Sequence, residues 1–77
     1  MTSQRERHLL KMAAQIAANL SAGVDDETAA VRTADHLRRF WTPEMRERLA
    51  ACSQDTTTDM DPTVMAALAL LSTQQTA

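Results

Sequence analysis

Large apolar side chains are scarce in this 77-residue chain, and that scarcity constrains its fold more than any other feature. Alanine supplies 14 of its hydrophobic residues, whereas Leu, Ile, Val and Phe together supply only 13. The length suits one domain, and a domain of this size buries only about 60% of the surface of its unfolded chain. Because Ala and Leu favour helices and the net charge is only −2, we predict one folded helical domain over residues 1–77. Its ordered part is expected at about 4–72, with a thin core that a partner can complete.

Residues that start or stop helices divide the first half of the chain. Ser3 followed by Glu6 fits a capping box, in which two side chains satisfy backbone donors at a helix start. Gly23 is the chain's only glycine and stands where the end of a first helix favours a left-handed residue. The acidic residues 25–27 suit the start of a second helix, because Asp can cap it and carboxylates favour its positive end.

Two proline-containing pairs mark further helix starts. Thr42-Pro43 and Asp61-Pro62 each place a capping side chain before a proline, which loses no helical hydrogen bond at the first position. Residues 53–60 are polar without apolar periodicity, as in a loop. We therefore predict an all-α fold, a small bundle of three to four short helices with a frayed C-terminal tail. The predicted helices span about 4–21, 26–41, 43–52 and 62–72.

In every segment, apolar residues recur at the spacing of one helix face. The fourth segment differs from the others, because Met65, Ala69 and Leu70 leave it without a polar face. A helix that is apolar all round is buried on more than one side, so Met65 and Leu70 are candidate partner-binding residues. The expected core stripes are Leu9, Met12, Ala13, Ile16 and Leu20, widened by Leu10 and Ala17; Ala30, Val31, Ala34, Leu37 and Trp41; Met45, Leu49 and Cys52; and Val64, Leu68 and Leu71.

Residue types that carry catalysis or bind metals are present but not grouped. His8, His36 and Cys52 lie in three different segments, and no acid or serine is spaced with them as in a nucleophile pattern. Cys52 continues an apolar stripe, where a free cysteine usually packs as a small hydrophobe. Neighbouring carboxylates at 25–27 point about 100° apart on a helix and cannot bind one ion together. We therefore expect no catalytic, metal-binding or cofactor-binding residue.

Charge and hydropathy leave few other function classes open. No apolar run reaches the roughly 18 residues of a membrane span, so we expect a cytoplasmic protein with no membrane partner. Residues 32–48 hold five of the eight basic residues, which makes a small helical DNA-binding regulator one alternative. The low overall charge and the lack of base-reading Asn or Gln near Pro43 argue against a nucleic-acid partner. A self-associating module, in which the fourth helix pairs with its copy, is another alternative.

The chain's only Phe and only Trp are adjacent, at Phe40 and Trp41. Successive residues on a helix point about 100° apart, so the two rings cannot face the same way. Trp41 continues the core stripe of the second helix, whereas Phe40 lies on its flank beside Arg38 and Arg39. Phe40 either packs under the third helix after the Pro43 turn or contacts another protein, and aromatic residues and Arg are enriched in interfaces.

Three stretches of this sequence resemble one known family. They are KMAAQIAANL at 11–20, HLRRFWTPEMRERL at 36–49 and MDPTVMAALALL at 60–71, and together they cover most of residues 9–71. The chain resembles the small delta subunit of the cytoplasmic NAD-dependent formate dehydrogenases that contain molybdenum or tungsten. The central stretch is the specific one, whereas TTTDMD stands where that family often has a glycine-rich stretch before its last helix.

The resemblance implies a non-catalytic accessory subunit that supports assembly or stability of the complex. In that family the catalytic alpha subunit carries the bis-molybdopterin cofactor and iron–sulfur clusters, and the beta and gamma subunits carry FMN and further clusters. The delta subunit binds no cofactor. The partners implied are other formate dehydrogenase subunits, above all the alpha subunit, with docking through the 38–46 turn and the fourth helix. The family pattern carries over to Arg38, Arg39, Phe40, Trp41, Pro43, Met45 and Arg46, to which the apolar fourth helix adds Met65 and Leu70.

Overall fold

The computed structural model describes residues 4–53 and 60–75 and confirms the predicted all-α fold; no strand occurs in these two ranges. Predicted and observed helix ends agree within one residue, except that the last helix extends three residues further. Ser3 of the capping box, loop residues 54–59 and residues 76–77 of the predicted frayed tail lie outside the described residues. The helices are α1 at Gln4–Ser21, α2 at Asp26–Phe40, α3 at Pro43–Ser53 and α4 at Pro62–Gln75.

Local side-chain chemistry sets the helix ends, as predicted. Gly23 follows α1 with a φ of 76°, the left-handed conformation that glycine adopts without steric cost. Asp25 then caps α2, where its Oδ1 accepts a 2.8 Å hydrogen bond from the backbone N–H of Thr28. The other two starts use Thr42, which accepts from the Met45 N–H at 3.1 Å, and Asp61, which accepts from the Thr63 N–H at 2.8 Å.

The cap at Asp25 predicts how stability changes with pH. Hydrogen bonds from the Thr28 hydroxyl and then from the Thr28 backbone N–H lower the pKa of Asp25 below its ordinary value. A lowered folded-state pKa adds stability above the unfolded pKa of about 3.9, and this is lost as the pH falls through the folded value. Denaturant unfolding measures how far the free energy of unfolding falls between neutral and acidic pH. We expect a smaller fall in Asp25→Asn than in the unaltered chain, because Asn caps a helix without titrating. An equal loss in both chains would contradict this assignment.

The core forms where all four helices meet, and small side chains let the helices approach closely. Leu37 and Leu49 are completely buried, and so are Ala13 on α1 and Ala67 on α4. Alanine contributes four of the thirteen members, so about a third of this core adds little side-chain volume. Its members are Leu9, Ala13, Ala17, Ala34, Leu37, Trp41, Leu49, Cys52, Met60, Val64, Ala67, Leu68 and Leu71.

The predicted core stripe of α2 is wrong at one position. Val31 is 52% exposed, and the polar residue Thr33 is completely buried in its place. The Thr33 hydroxyl donates a 2.8 Å hydrogen bond to the carbonyl oxygen of Ala29, so its polar group is satisfied within α2. The buried face of α2 is therefore turned towards Ala29 and Thr33, and an apolar side chain is left at the surface.

Cys52 is buried and free, as its place on the α3 stripe predicts. Its thiol is also a polar contact, because Sγ lies 3.5 Å from the Glu6 Oε2 and donates to it. Glu6 belongs to α1, so this hydrogen bond joins the first and third helices near their edge. Sequence reasoning had assigned Glu6 only to the cap of its own helix.

Candidate interaction surface

The adjacent aromatic residues face opposite environments, because α2 ends between them. Trp41 is the C-cap, and its backbone N–H donates a 3.0 Å hydrogen bond to the carbonyl oxygen of Leu37. Its side chain is only 6% exposed and belongs to the core, as predicted. Phe40 is 72% exposed, and its ring contacts that of His36 at a centroid distance of 4.8 Å. Packing of Phe40 under α3 is therefore wrong for this chain on its own.

Two arginines beside Phe40 are held along α2 by one carboxylate. Asp35 pairs with Arg38 at 2.7 Å and with Arg39 at 3.2 Å, three and four residues further along the helix. All three side chains are well exposed, so these pairs add little to stability. Their effect is to orient two guanidinium groups next to an exposed aromatic ring, with the exposed Pro43 following after the turn.

The outer face of α4 is the second exposed apolar surface. Met65 is 49% exposed, and Ala66 and Ala69 beside it are exposed as well. Leu70 is half-buried at the edge of the core. The opposite face of this helix packs inward, so the described part of the chain covers α4 on one side only. The residues that face inward are Val64, Ala67, Leu68 and Leu71.

An apolar groove runs between α2 and α4, and we call it the α2–α4 groove. Ala30 and Val31 line it from α2, and Ala66, Ala69 and Leu70 line it from α4. Asp26 and Glu27 border one end. The groove continues past Val31 and Leu70 to a charged end, which is bordered by Arg32, Asp35 and Arg38.

The remaining predicted site residues lie on other faces. Met45 is half-buried against the core and borders a hollow between α1 and α3. Arg46 lies in a cleft between α3 and α4, where Leu68 and Leu71 form apolar walls. Its Nε is buried and has no hydrogen-bond acceptor among the described residues. The nine residues predicted to bind a partner therefore do not form one patch: Trp41 is interior, and the others are spread over several faces.

Sequence reasoning missed the α2 side of the groove. Val31 was assigned to the core, and Ala66 was not singled out, yet both line the exposed groove. Thr33 is the residue in the sequence that could have indicated this side of the groove. Its hydroxyl can bond within its own helix, and a threonine that does so can take a core position. Val31, two residues earlier on α2, is then turned outward.

The described residues do not suggest metal or membrane chemistry. In residues 4–53 and 60–75, no three His, Cys, Asp or Glu side chains converge as metal ligands. None of the helices described there combines the length and the apolar character that crossing a membrane requires.

A family model decides the relationship of this sequence to known proteins. The model of the NADH-dependent formate dehydrogenase delta subunit, FdsD, matches residues 8–68, which is most of the chain. The chain belongs to this family. The match confirms the resemblance seen in the sequence. It covers α1 from His8 onward, all of α2 and α3, and the first half of α4.

The FdsD match covers the Phe40 turn and part of the apolar surface of α4. Phe40 with its two arginines lies at the centre of the matched residues, and Met65 lies near their end. No curated protein and no solved structure is significantly similar to the chain. Membership of the FdsD family makes other subunits of a formate dehydrogenase complex the partners of this chain.

Proposed function

We propose that the chain is a non-catalytic accessory subunit of a cytoplasmic NAD-dependent formate dehydrogenase, and that it supports assembly or stability of the complex through protein contacts. Membership of the FdsD family identifies the complex as a formate dehydrogenase. The observation that carries the accessory role is the exposure of Phe40, which is 72% exposed in a chain with one Phe and one Trp. Aromatic residues and arginines are enriched in protein interfaces, and arginine is also enriched among binding hot spots.

The apolar face of α4 supports the same proposal. Val31 and Met65 are each about half exposed, and the alanines between α2 and α4 add to this apolar area. A chain with few large apolar residues gains nothing for its own core from leaving Val31, Phe40 and Met65 at the surface. Burial against another subunit removes this surface from water, and apolar burial is worth about 25 cal/mol per Å².

The partner we propose is the catalytic alpha subunit, contacted through the 38–46 turn and α4. Of the alternatives considered, DNA binding has the five arginines of residues 32–48 in its favour. Three of them are already paired, Arg38 and Arg39 with Asp35 and Arg48 with Glu44. Phosphate binding needs more positive charge than such a cluster provides. Self-association through α4 remains a measurable alternative.

Removing the exposed ring and one arginine is expected to weaken the complex. The double variant Phe40→Ala, Arg39→Ala deletes an aromatic anchor and a charged neighbour without touching the core. Loss of hot-spot residues typically costs 2 kcal/mol or more, so capture of the alpha subunit on the immobilised chain should fall by about 30-fold in affinity. The measurement is a pull-down followed by titration against the purified alpha subunit.

A matched control keeps the number of changes and the loss of one arginine. The variant Arg7→Ala, Val24→Ala removes an exposed arginine of α1 and a half-buried residue of the α1–α2 connection, both distant in sequence from the turn. Its capture of the alpha subunit should match that of the unaltered chain. If the Phe40 variant also binds as tightly as the unaltered chain, the proposed surface is wrong.

A further inference from the structure

The α2–α4 groove has the shape and lining of a binding site for one more helix. Its floor and walls include three alanines, at 30, 66 and 69, and small residues let a neighbouring helix axis approach to about 8 Å. Val31 and Leu70 project as the larger apolar contacts. The lining on α2 runs from Asp26 to Arg38, and twelve helical steps correspond to about 18 Å or roughly three helical turns.

The two ends of the groove carry opposite charge. Asp26 and Glu27 are both exposed at one end, in the first turn of α2. Arg32 and Arg38 border the other end together with Asp35. Arg39, one residue further, shares Asp35 with Arg38, so that end keeps a positive balance. Among the described residues Arg32 takes part in no ion pair.

We propose that this groove binds an amphipathic helix of another subunit of the complex, lying antiparallel to α2. Helices generally favour Asp or Glu in their first turn and Lys or Arg in their last, because of the helix dipole. An antiparallel helix places its acidic first turn at Arg32 and Arg38 and its basic last turn at Asp26 and Glu27. Its apolar face, with bulky residues about every third or fourth position, fills the space above the alanines.

This inference rests on the proposed function, because the helix that binds the groove belongs to another subunit of the same complex. It adds that the bound segment is a helix and that it runs antiparallel to α2. A second copy of this chain is the competing occupant, since α2 itself carries acids in its first turn and arginines in its last. The charged end of the groove shares Arg38 with the Phe40 turn, whereas its apolar part lies further away, along α2 and α4. Contacts at both places would hold the chain on its partner at two points.

The test uses the assembled complex, purified with this chain carrying a photo-crosslinking amino acid at Val31. The expected product is a covalent link to one helix of another subunit, acidic in its first turn and basic in its last. The same crosslinker at Lys11, an exposed position of α1 outside the groove, should not label that helix. A link to a loop or strand, a link to a second copy of this chain, or no protein link at all overturns the inference.

Filling the groove gives an independent readout. The double variant Ala66→Leu, Ala69→Leu should lower affinity for the complex by at least about tenfold, because the added side chains fill the space that the bound helix would occupy. The single variant Ala51→Leu, at an exposed position of α3, should leave affinity unchanged. Circular dichroism checks that all three chains keep their helices. Unchanged affinity in the groove variant overturns the inference.

These outcomes separate the two proposals. If the chain co-purifies with the complex and Val31 gives no link to another subunit, the accessory role stands and the groove inference is wrong. If the chain does not co-purify with any formate dehydrogenase subunit, the proposed function is wrong and the groove inference is overturned with it.

Discussion

Leu37→Ala is expected to remove a large part of the stability of the isolated chain. Leu37 is completely buried at the centre of the core, and truncating a buried leucine costs about 2–5 kcal/mol because a cavity remains. A 77-residue domain with an alanine-rich core is expected to have under about 5 kcal/mol of stability in total. One such cavity therefore removes a large part of the free energy of unfolding, and all of it at the upper end of this range. Denaturant unfolding followed by circular dichroism measures it.

Val31→Ala is the matched control for this prediction. It also truncates a branched apolar residue of α2, but Val31 is 52% exposed and lies outside the core cluster. Its free energy of unfolding should change by no more than about 0.5 kcal/mol, as at other surface positions. If Leu37→Ala remains folded with a thermal midpoint close to that of the unaltered chain, the thin-core argument fails.

Helix ends were predictable from the sequence because their chemistry is local. Asp25, Thr42 and Asp61 each bond a backbone N–H two or three residues ahead, so the cap is decided within one turn. Gly23 adopts its positive φ for an equally local reason. These features needed no knowledge of which helices pack together.

The orientation of the helices was harder to predict, because it depends on packing. In α2 the choice between Val31 and Thr33 for the core follows from one intrahelical hydrogen bond that hydrophobic periodicity ignores. In α4 nearly every face is apolar, yet the predicted stripe of Val64, Leu68 and Leu71 is the buried face. The contact of Glu6 with Cys52 joins residues 46 positions apart, and no local pattern encodes it.

The candidate surface was predictable only in part, for the same reason. The sequence motif singled out Arg38, Arg39 and Phe40, and the structure places all three at the surface. The motif also included Trp41, which is a core residue. Its place next to Phe40 in the sequence does not reveal this, whereas helical geometry does. The groove, by contrast, combines residues of α2 and α4 that are more than 30 positions apart, so only the folded chain reveals it.

The adjacent aromatic residues provide the sharpest test of this division between core and surface. Trp41→Ala is expected to lower the free energy of unfolding by about 3–5 kcal/mol, because Trp41 is 6% exposed and packs within the core. Phe40→Ala should change it by no more than about 0.5 kcal/mol, because most of the ring is already in water. Far-UV circular dichroism during denaturant unfolding suits both variants, since one of them lacks the chain's only tryptophan.

Binding should show the reverse order once folding is accounted for. Phe40→Ala should weaken capture by the alpha subunit while the chain remains folded, because the deleted ring contributes to contacts and not to stability. Trp41→Phe keeps an aromatic ring in the core, so it should lose less stability than Trp41→Ala and still bind. If Phe40→Ala destabilises the isolated chain as much as Trp41→Ala does, both rings serve the core. The exposed ring then cannot be the anchor of an interface.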